Sequence, residues 1–342
     1  MCGALHWARG LVHFLVAYEV HAGMRILLTG VAGFIGYHAA EALLARGHDI
    51  VGLDCMNAYY DPALKRARLA RLEGRNRFRF SQTDIADADA LTAAVAGQSF
   101  DVILHLAAQA GVRYALQAPM AYTHSNLVGH HAMLELARGL KGLAHFVYAS
   151  SSSVYGNDTK APYSEEARAD HPVSYYGATK RAGELMSHSY AELFGLKQTG
   201  LRFFTVYGPW GRPDMAYWLF TDAVLKAKPL KLFGEGLLKR DFTWVEDIVA
   251  ALMRIVETPF PAAAKGAPHR LYNLGNSKPE EVRTLIRIIE EATKKRAVIE
   301  HTKGPPGDVI ETYADVTRAA RDFGFAPSVT FCLLYTSDAA DE

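Results

Sequence analysis

The chain runs to 342 residues, 50% of them hydrophobic, and its 37 Lys and Arg against 36 Asp and Glu leave a formal net charge of +1. That is enough chain for a large core in two coupled lobes, and so even a balance offers no electrostatic footing for a nucleic-acid or membrane-surface protein. Three scattered cysteines, Cys2, Cys55 and Cys332, form no disulfide framework or metal-ligand spacing and fit a reducing cytoplasm, and no apolar run is long enough to span a bilayer.

Residues 1–23 carry a short apolar patch at 11–18 without the basic start or small-residue cleavage site of a signal peptide. Met24 directly precedes "RILLTG", so residues 1–23 are expected to be an extension outside the fold. From there β-rich runs at 25–29, 49–54, 78–83, 100–106, 144–149 and 198–203 alternate with helix-like stretches such as 35–46 and 122–139. Strand–helix alternation predicts an α/β fold, a Rossmann-type doubly wound parallel sheet with helices on both faces.

In "TGVAGFIG" (29–36) the first strand passes into a helix through Gly30, Gly33 and Gly36. Glycines there let the backbone turn sharply and approach a pyrophosphate, whose charge faces the helix N-terminus. A glycine trio alone is as often a plain strand–helix turn, but here strand, helix and next strand fall in the required order. Asp54 closes the second strand. Its carboxylate can accept from a ribose 2′-hydroxyl and would repel a 2′-phosphate, so the expected dinucleotide is NAD.

"YASSSSVYG" (148–156) places four serines at the C-terminal end of a strand, the end at which open α/β sheets bind ligands. A serine-rich turn bonding its own backbone is the plainer explanation. Downstream, "SYYGATK" (174–180) sets Tyr176 and Lys180 on one face of a helix. A phenol titrates near pH ~10 and is a poor base at neutrality, but an adjacent ammonium favours phenolate and lowers that value.

After Phe203 the rhythm breaks, and "VYGPWGRPDM" is a loop by its Gly and Pro content. The expected division is an NAD-binding domain over 24–205 and a smaller, intertwined substrate-binding lobe over 206–331. The final "CLLYTSDAADE" (332–342) resembles a translated sequencing adaptor and is set outside the fold.

Glycine loop, strand-end hydroxyl and Tyr–Lys pair together resemble the extended short-chain dehydrogenase/reductase superfamily. The blocks "QAGVRYALQAP" (109–119), "SSSVYG" (151–156), "TGLRFFTVYGPWGRPDMA" (199–216) and "RDFTWVEDIV" (240–249) are similar to UDP-glucuronate 4-epimerases of the NAD-dependent epimerase/dehydratase family. The resemblance covers about residues 24–327. It implies a cytoplasmic isomerase that retains NAD, acts on a UDP-sugar without metal, nucleic acid or membrane, and pairs through helices into a homodimer. It implies Ser151 as the catalytic hydroxyl, Tyr176 as the base and Lys180 as its partner. Gly30, Gly33, Phe34, Ile35 and Gly36 would supply the dinucleotide loop, with Asp54 and Asn57 at the ribose and Asp84 and Ile85 at the adenine. Leu106, Ala107 and Ala108 would run along the dinucleotide, and Asn126, Tyr176 and Lys180 would hold it near the catalytic groups. Cys55 stands where the family usually has Asn, which removes one expected adenosine hydrogen bond, and Trp244 stands where it more often has Tyr.

On the substrate side the resemblance implies Arg240 as a diphosphate ligand, Arg212 as a diphosphate or glucuronate-facing ligand, and Arg113 as a further candidate. Arginine suits bidentate binding of either group. Thr205 stands where UDP-glucose epimerases usually carry Asn; with Ser151, Ser152 and Ser153 it can hold a sugar carboxylate through neutral donors. The expected reaction oxidises C4 to a 4-keto sugar, which rotates and is reduced on its other face. Three alternatives are a UDP-glucose 4-epimerase, a nucleotide-sugar dehydratase or decarboxylase, and a non-catalytic binding protein on the same fold. Thr205 and the serines speak against the first; an acidic residue usually stands in place of Ser153 in the second; the intact Ser151, Tyr176 and Lys180 oppose the third.

Overall fold

The computed structural model describes residues 23–157, 159–261, 266–302 and 310–331; the expectations for residues 1–22 and 332–342 lie outside the described residues. The strand β1 (Arg25–Thr29) leads through the glycine turn into α1 (Phe34–Ala45), followed by β2 (Asp49–Asp54), α2 (Pro62–Ala70), β3 (Phe78–Gln82), α3 (Ala88–Val95) and β4 (Val102–His105). Next come α4 (Pro119–Tyr122), a π-helical turn over Thr123–Val128, α5 (Gly129–Gly139), β5 (His145–Ser151), α6 (Tyr175–Phe194) and β6 (Gln198–Phe203). Beyond it lie β7 (Thr205–Tyr207), α7 (Ala216–Leu225), β8 (Pro229–Phe233), β9 (Lys239–Trp244) and α8 (Val245–Glu257). The described chain closes with β10 (His269–Leu274), β11 (Pro279–Glu281), α9 (Val282–Thr293), β12 (Val298–Thr302), β13 (Glu311–Thr312) and α10 (Thr317–Phe323).

Among the described residues, seven strands form one parallel sheet in the order β10-β6-β5-β4-β1-β2-β3. This is the expected Rossmann-type architecture. Its inner strands β1, β2 and β4 are predominantly apolar and buried, as a sheet covered on both sides requires. The two-residue period sends Ile26 and Leu28 into one core with Leu43 and Leu252, and Leu27 into the other with Ile103, Met133 and Phe146. The strand order reverses between β1 and β4, and a crevice opens at their C-terminal ends where such sheets take ligands.

Three features differ from the sequence expectation. The seventh strand, β10, comes from beyond residue 206 and completes the large sheet beside β6, while α8 packs on α1. The stretch 122–139 is helical but passes through the π turn that carries Asn126. The fifth strand runs on through Ser150 and Ser151, so the serine row is half strand and half 3-10 turn. Around β9, a smaller sheet gathers β7, β11 and β13 over a core of Tyr207, Phe242, Trp244, Leu285 and Ile289.

Candidate active site

The crevice is a cleft of about 350 Å³ at the ends of β1, β4 and β5. At one end the glycine loop forms its floor. Gly30 has φ +73, and a Cβ there would lie 2.7 Å from the Ala107 nitrogen; one on Gly36 would lie 2.1 Å from the Gly30 carbonyl oxygen. Only glycine allows this approach of loop to strand end. Gly33 caps α1 without a side-chain hydrogen bond, so the first-turn N–H groups are left to an anion. These features fit a dinucleotide diphosphate.

Asp54 is buried beside the loop, its Oδ2 accepting from Ala32 N at 3.2 Å and its Oδ1 from Met56 N at 2.9 Å. Lys65 Nζ stands 3.3 Å from the same Oδ1 and 3.0 Å from Asn57 Oδ1. That ammonium offsets the carboxylate, so repulsion of a 2′-phosphate by Asp54 is weaker than the bare sequence implies. Asp84 and Ile85 border the cleft beyond β3, Asp84 pairing with His124 at 2.9 Å. Phe34, Ile35, Leu106, Ala107 and Ala108 line the middle.

At the other end α6 presents Tyr176 and Lys180. Its start is fixed by Ser174, whose hydroxyl accepts from Gly177 N at 3.0 Å. Lys180 is buried and donates to the Ala149 carbonyl at 3.0 Å; burial brings its pKa down to about 8, against an upward pull from Glu184. Tyr176 is pushed above its ordinary value by burial, which outweighs a hydrogen bond to Ser151 and the charge of Arg212. The expectation that the Lys180 ammonium lowers Tyr176 is therefore not met in this geometry: burial dominates the phenol, and Lys180 points at backbone.

Ser151, Ser152, Ser153 and Thr205 border the same end, with Arg212 across from them. Ser151 Oγ accepts from Ser153 N at 3.2 Å. Ser150, also on the cleft border, donates its hydroxyl to buried Glu184 at 2.6 Å, and Glu184 is held bidentate by Arg202 at 2.8 Å on both oxygens. Arg212 pairs with Asp214 at 3.0 and 2.6 Å, and Tyr59 donates to Asp214 at 3.0 Å.

Three residues assigned from sequence stand off the cleft wall. Asn126 is buried behind it, accepting from Gln109 N at 2.8 Å and donating to Gln109 O and Thr179 Oγ1, both at 3.0 Å. It therefore clamps the segment after β4 to α6 rather than facing a ligand. Arg113 lies over the Phe233 ring at 5.0 Å. Arg240 is on β9, with a bond to the Lys239 carbonyl at 2.9 Å among its contacts. Sequence reasoning missed Lys65, Tyr59, Gln109 and Asp214. Gln109 and Asp214 had a signal, since both lie in blocks already singled out; Lys65 and Tyr59 had none.

Residues 26–275 match the NAD dependent epimerase/dehydratase family. The chain belongs to that family. It is 45% identical to UDP-glucuronate 4-epimerase 4 of Arabidopsis thaliana over 316 residues, 90% of this chain and 72% of the relative. A probable UDP-glucuronate 4-epimerase of Rhizobium meliloti (strain 1021) is 43% identical, covering 90% of this chain and 93% of the relative. Among solved structures, UDP-glucuronic acid 4-epimerase from Bacillus cereus, in complex with UDP-glucuronic acid and NAD, superposes with a TM-score of 0.83 at 33% identity. That alignment covers 93% of this chain and 98% of the other.

Proposed function

We propose that the chain is a UDP-glucuronate 4-epimerase that interconverts UDP-glucuronate and UDP-galacturonate with bound NAD. The observation that carries this reading is the sugar end of the cleft, where Ser151, Ser152, Ser153, Thr205 and Arg212 converge on the Tyr176–Lys180 face. Its relatives at 43–45% identity carry the same activity in their names. Gly30, Gly33 and Gly36 would receive the dinucleotide diphosphate, and Asp54, with Asn57 beside it, the adenosine ribose. When bound, NAD would supply the hydride acceptor and donor for C4 and, when oxidised, a positive charge in the site.

Tyr176 takes the proton of the C4 hydroxyl, with Ser151 in the hydrogen-bond path, and returns it after the sugar has turned. Lys180, its side chain held by the Ala149 carbonyl, stands on the same helix face. A 4-keto glucuronate is a β-keto acid and readily loses CO₂. Neutral hydroxyls from Ser151 to Ser153 and Thr205 can satisfy its carboxylate without the like-charge repulsion of an acidic side chain.

We further propose a homodimer built on the α5–α6 face, because Leu185, Leu193 and Phe194 are exposed there at 55%, 69% and 50%. Light scattering showing a monomer at micromolar concentration would refute that arrangement. No helix among the described residues is long and apolar enough to cross a membrane; three scattered cysteines without a disulfide spacing support placement in a reducing cytoplasm. The test of function is to incubate the protein with UDP-glucuronate and resolve the sugar nucleotides by chromatography. UDP-galacturonate with little UDP-pentose is expected; UDP-pentose as the main product would make the chain a decarboxylase.

A further inference from the structure

Arg68, on α2, is fully buried, and among the described residues its hydrogen-bond partners are all neutral oxygens. Its Nε and one terminal nitrogen take the Trp210 carbonyl at 3.1 and 2.6 Å, and that nitrogen also reaches the Gly211 carbonyl at 3.1 Å. The other terminal nitrogen donates to the Ala32 carbonyl at 3.0 Å and to the Tyr60 hydroxyl at 2.8 Å. A buried guanidinium is costly unless its donors are used, and this one uses them on two loops distant in sequence. Ala32 lies inside the glycine loop, and Gly211 immediately precedes Arg212.

The second loop needs such a hold. Trp210 has φ +58, a left-handed backbone that a bulky residue rarely adopts, and it is the Trp210 carbonyl that Arg68 takes twice. The rest of the segment is docked on the same surface: His38 Nε2 bonds the Pro209 carbonyl at 2.9 Å, and the Trp210 ring lies 6.0 Å from Tyr37 and 5.4 Å beneath Arg71. Arg212 then emerges toward the cleft, where its charge bears on Tyr176.

We propose that Arg68 is a positioning residue that couples the two halves of the site, fixing the loop for the dinucleotide diphosphate and the loop that carries Arg212 against one planar fork. This deepens the proposed function and rests on it for the roles of those two loops. Lysine offers a point charge with three rotatable donors and cannot span both loops in one plane. A change at either loop is then felt at the other, although Arg68 itself does not line the cleft.

The test uses the full chain as purified, with wild type, Arg68→Lys and Arg68→Gln, each alone and with Arg212→Ala. The readouts are the rate of NAD release, the affinity for UDP by calorimetry, and the thermal midpoint. Arg68→Lys is expected to release NAD about tenfold faster and to bind UDP about tenfold more weakly. In the Arg212→Ala background its further effect on UDP is expected to shrink below about threefold, the non-additivity of residues acting through one another. Arg71→Gln, which touches Trp210 only from outside, should leave both affinities within about threefold. The proposal is overturned if Arg68→Lys lowers only the thermal midpoint, or if it weakens UDP by the same factor with and without Arg212. Should Arg68→Gln fail to fold, Arg68→Lys, which keeps the charge, decides. None of these readouts requires turnover, so a chain that ignores UDP-glucuronate yet shows the coupled losses would refute the proposed function and leave the coupling standing.

Discussion

At the dinucleotide end of the cleft the shape is made by backbone: Gly30, Gly33 and Gly36 bring a loop and a helix start against the end of β4. At the sugar end it is made by side chains from β5, α6, β7 and the loop before α7, where Glu184 holds Ser150, Asp214 holds Arg212 and Arg68 holds the backbone of the loop. A backbone site depends on a few local residues and tolerates little change at any of them. A side-chain site depends on contacts between segments far apart in sequence, and its function can be altered piecemeal. Substitutions at the two ends should therefore fail differently.

The largest effect is expected at the base. Tyr176→Phe keeps the ring and removes the ionisable hydroxyl, so kcat should fall by ~10²-fold or more while the thermal midpoint hardly moves. Turnover close to wild type would take Tyr176 out of the mechanism. At the backbone end, Gly36→Ala should act through geometry, because its Cβ would sit 2.1 Å from the Gly30 carbonyl oxygen. Overpacking of that kind costs about 1–3 kcal/mol, and here it should also strip NAD from the purified protein. Retention of NAD at wild-type levels by this variant would mean that the loop is not the close-approach site described.

A pH series sharpens the contrast further. Lys180 has its pKa lowered from 10.5 to about 8 by burial. Between about pH 8 and 10.5 the unfolded chain binds a proton that the folded chain has lost, so this group's contribution to stability rises with pH across that window. Below it the folded state bears the full cost of the buried charge. The stability of wild type relative to Lys180→Met, read from denaturant midpoints, should accordingly rise as pH goes from 8 to 10.5, and a constant difference would contradict the assignment. The mildest effect is expected at Thr205→Ala. Total turnover should drop modestly, but the UDP-pentose fraction should rise, since one neutral donor to the carboxylate is gone; an unchanged product ratio would remove Thr205 from that role.

The same contrast explains what could be read from sequence. The glycine loop, Asp54 and the Tyr176–Lys180 pair were legible because each is a short local pattern in a fixed order of elements. Lys65 and Arg68 were not: in "PALKRARLA" they look like the charged face of a solvated helix, yet both are buried against loops. Ser150 and Ser151 are neighbours of the same type. Strand alternation turns the hydroxyl of one to Glu184 and leaves the other for the cleft. Asn126 was legible as a residue near the catalytic groups, but its burial behind Gln109 follows from the π turn, which no local spacing announced. The strand β10 was missed because its partner β6 lies outside any local window.

The most direct test of the account is a competition between UDP-glucuronate and UDP-glucose in one reaction with wild-type protein, followed by separation of all four hexose and hexuronate nucleotides. If the neutral hydroxyls of Ser151 to Ser153 and Thr205 are there to hold a carboxylate, kcat/KM should favour UDP-glucuronate by about tenfold or more, as expected when a site built for a polar group meets an analogue lacking it. Equal or faster conversion of UDP-glucose to UDP-galactose would contradict the carboxylate-holding site and make this chain a hexose epimerase.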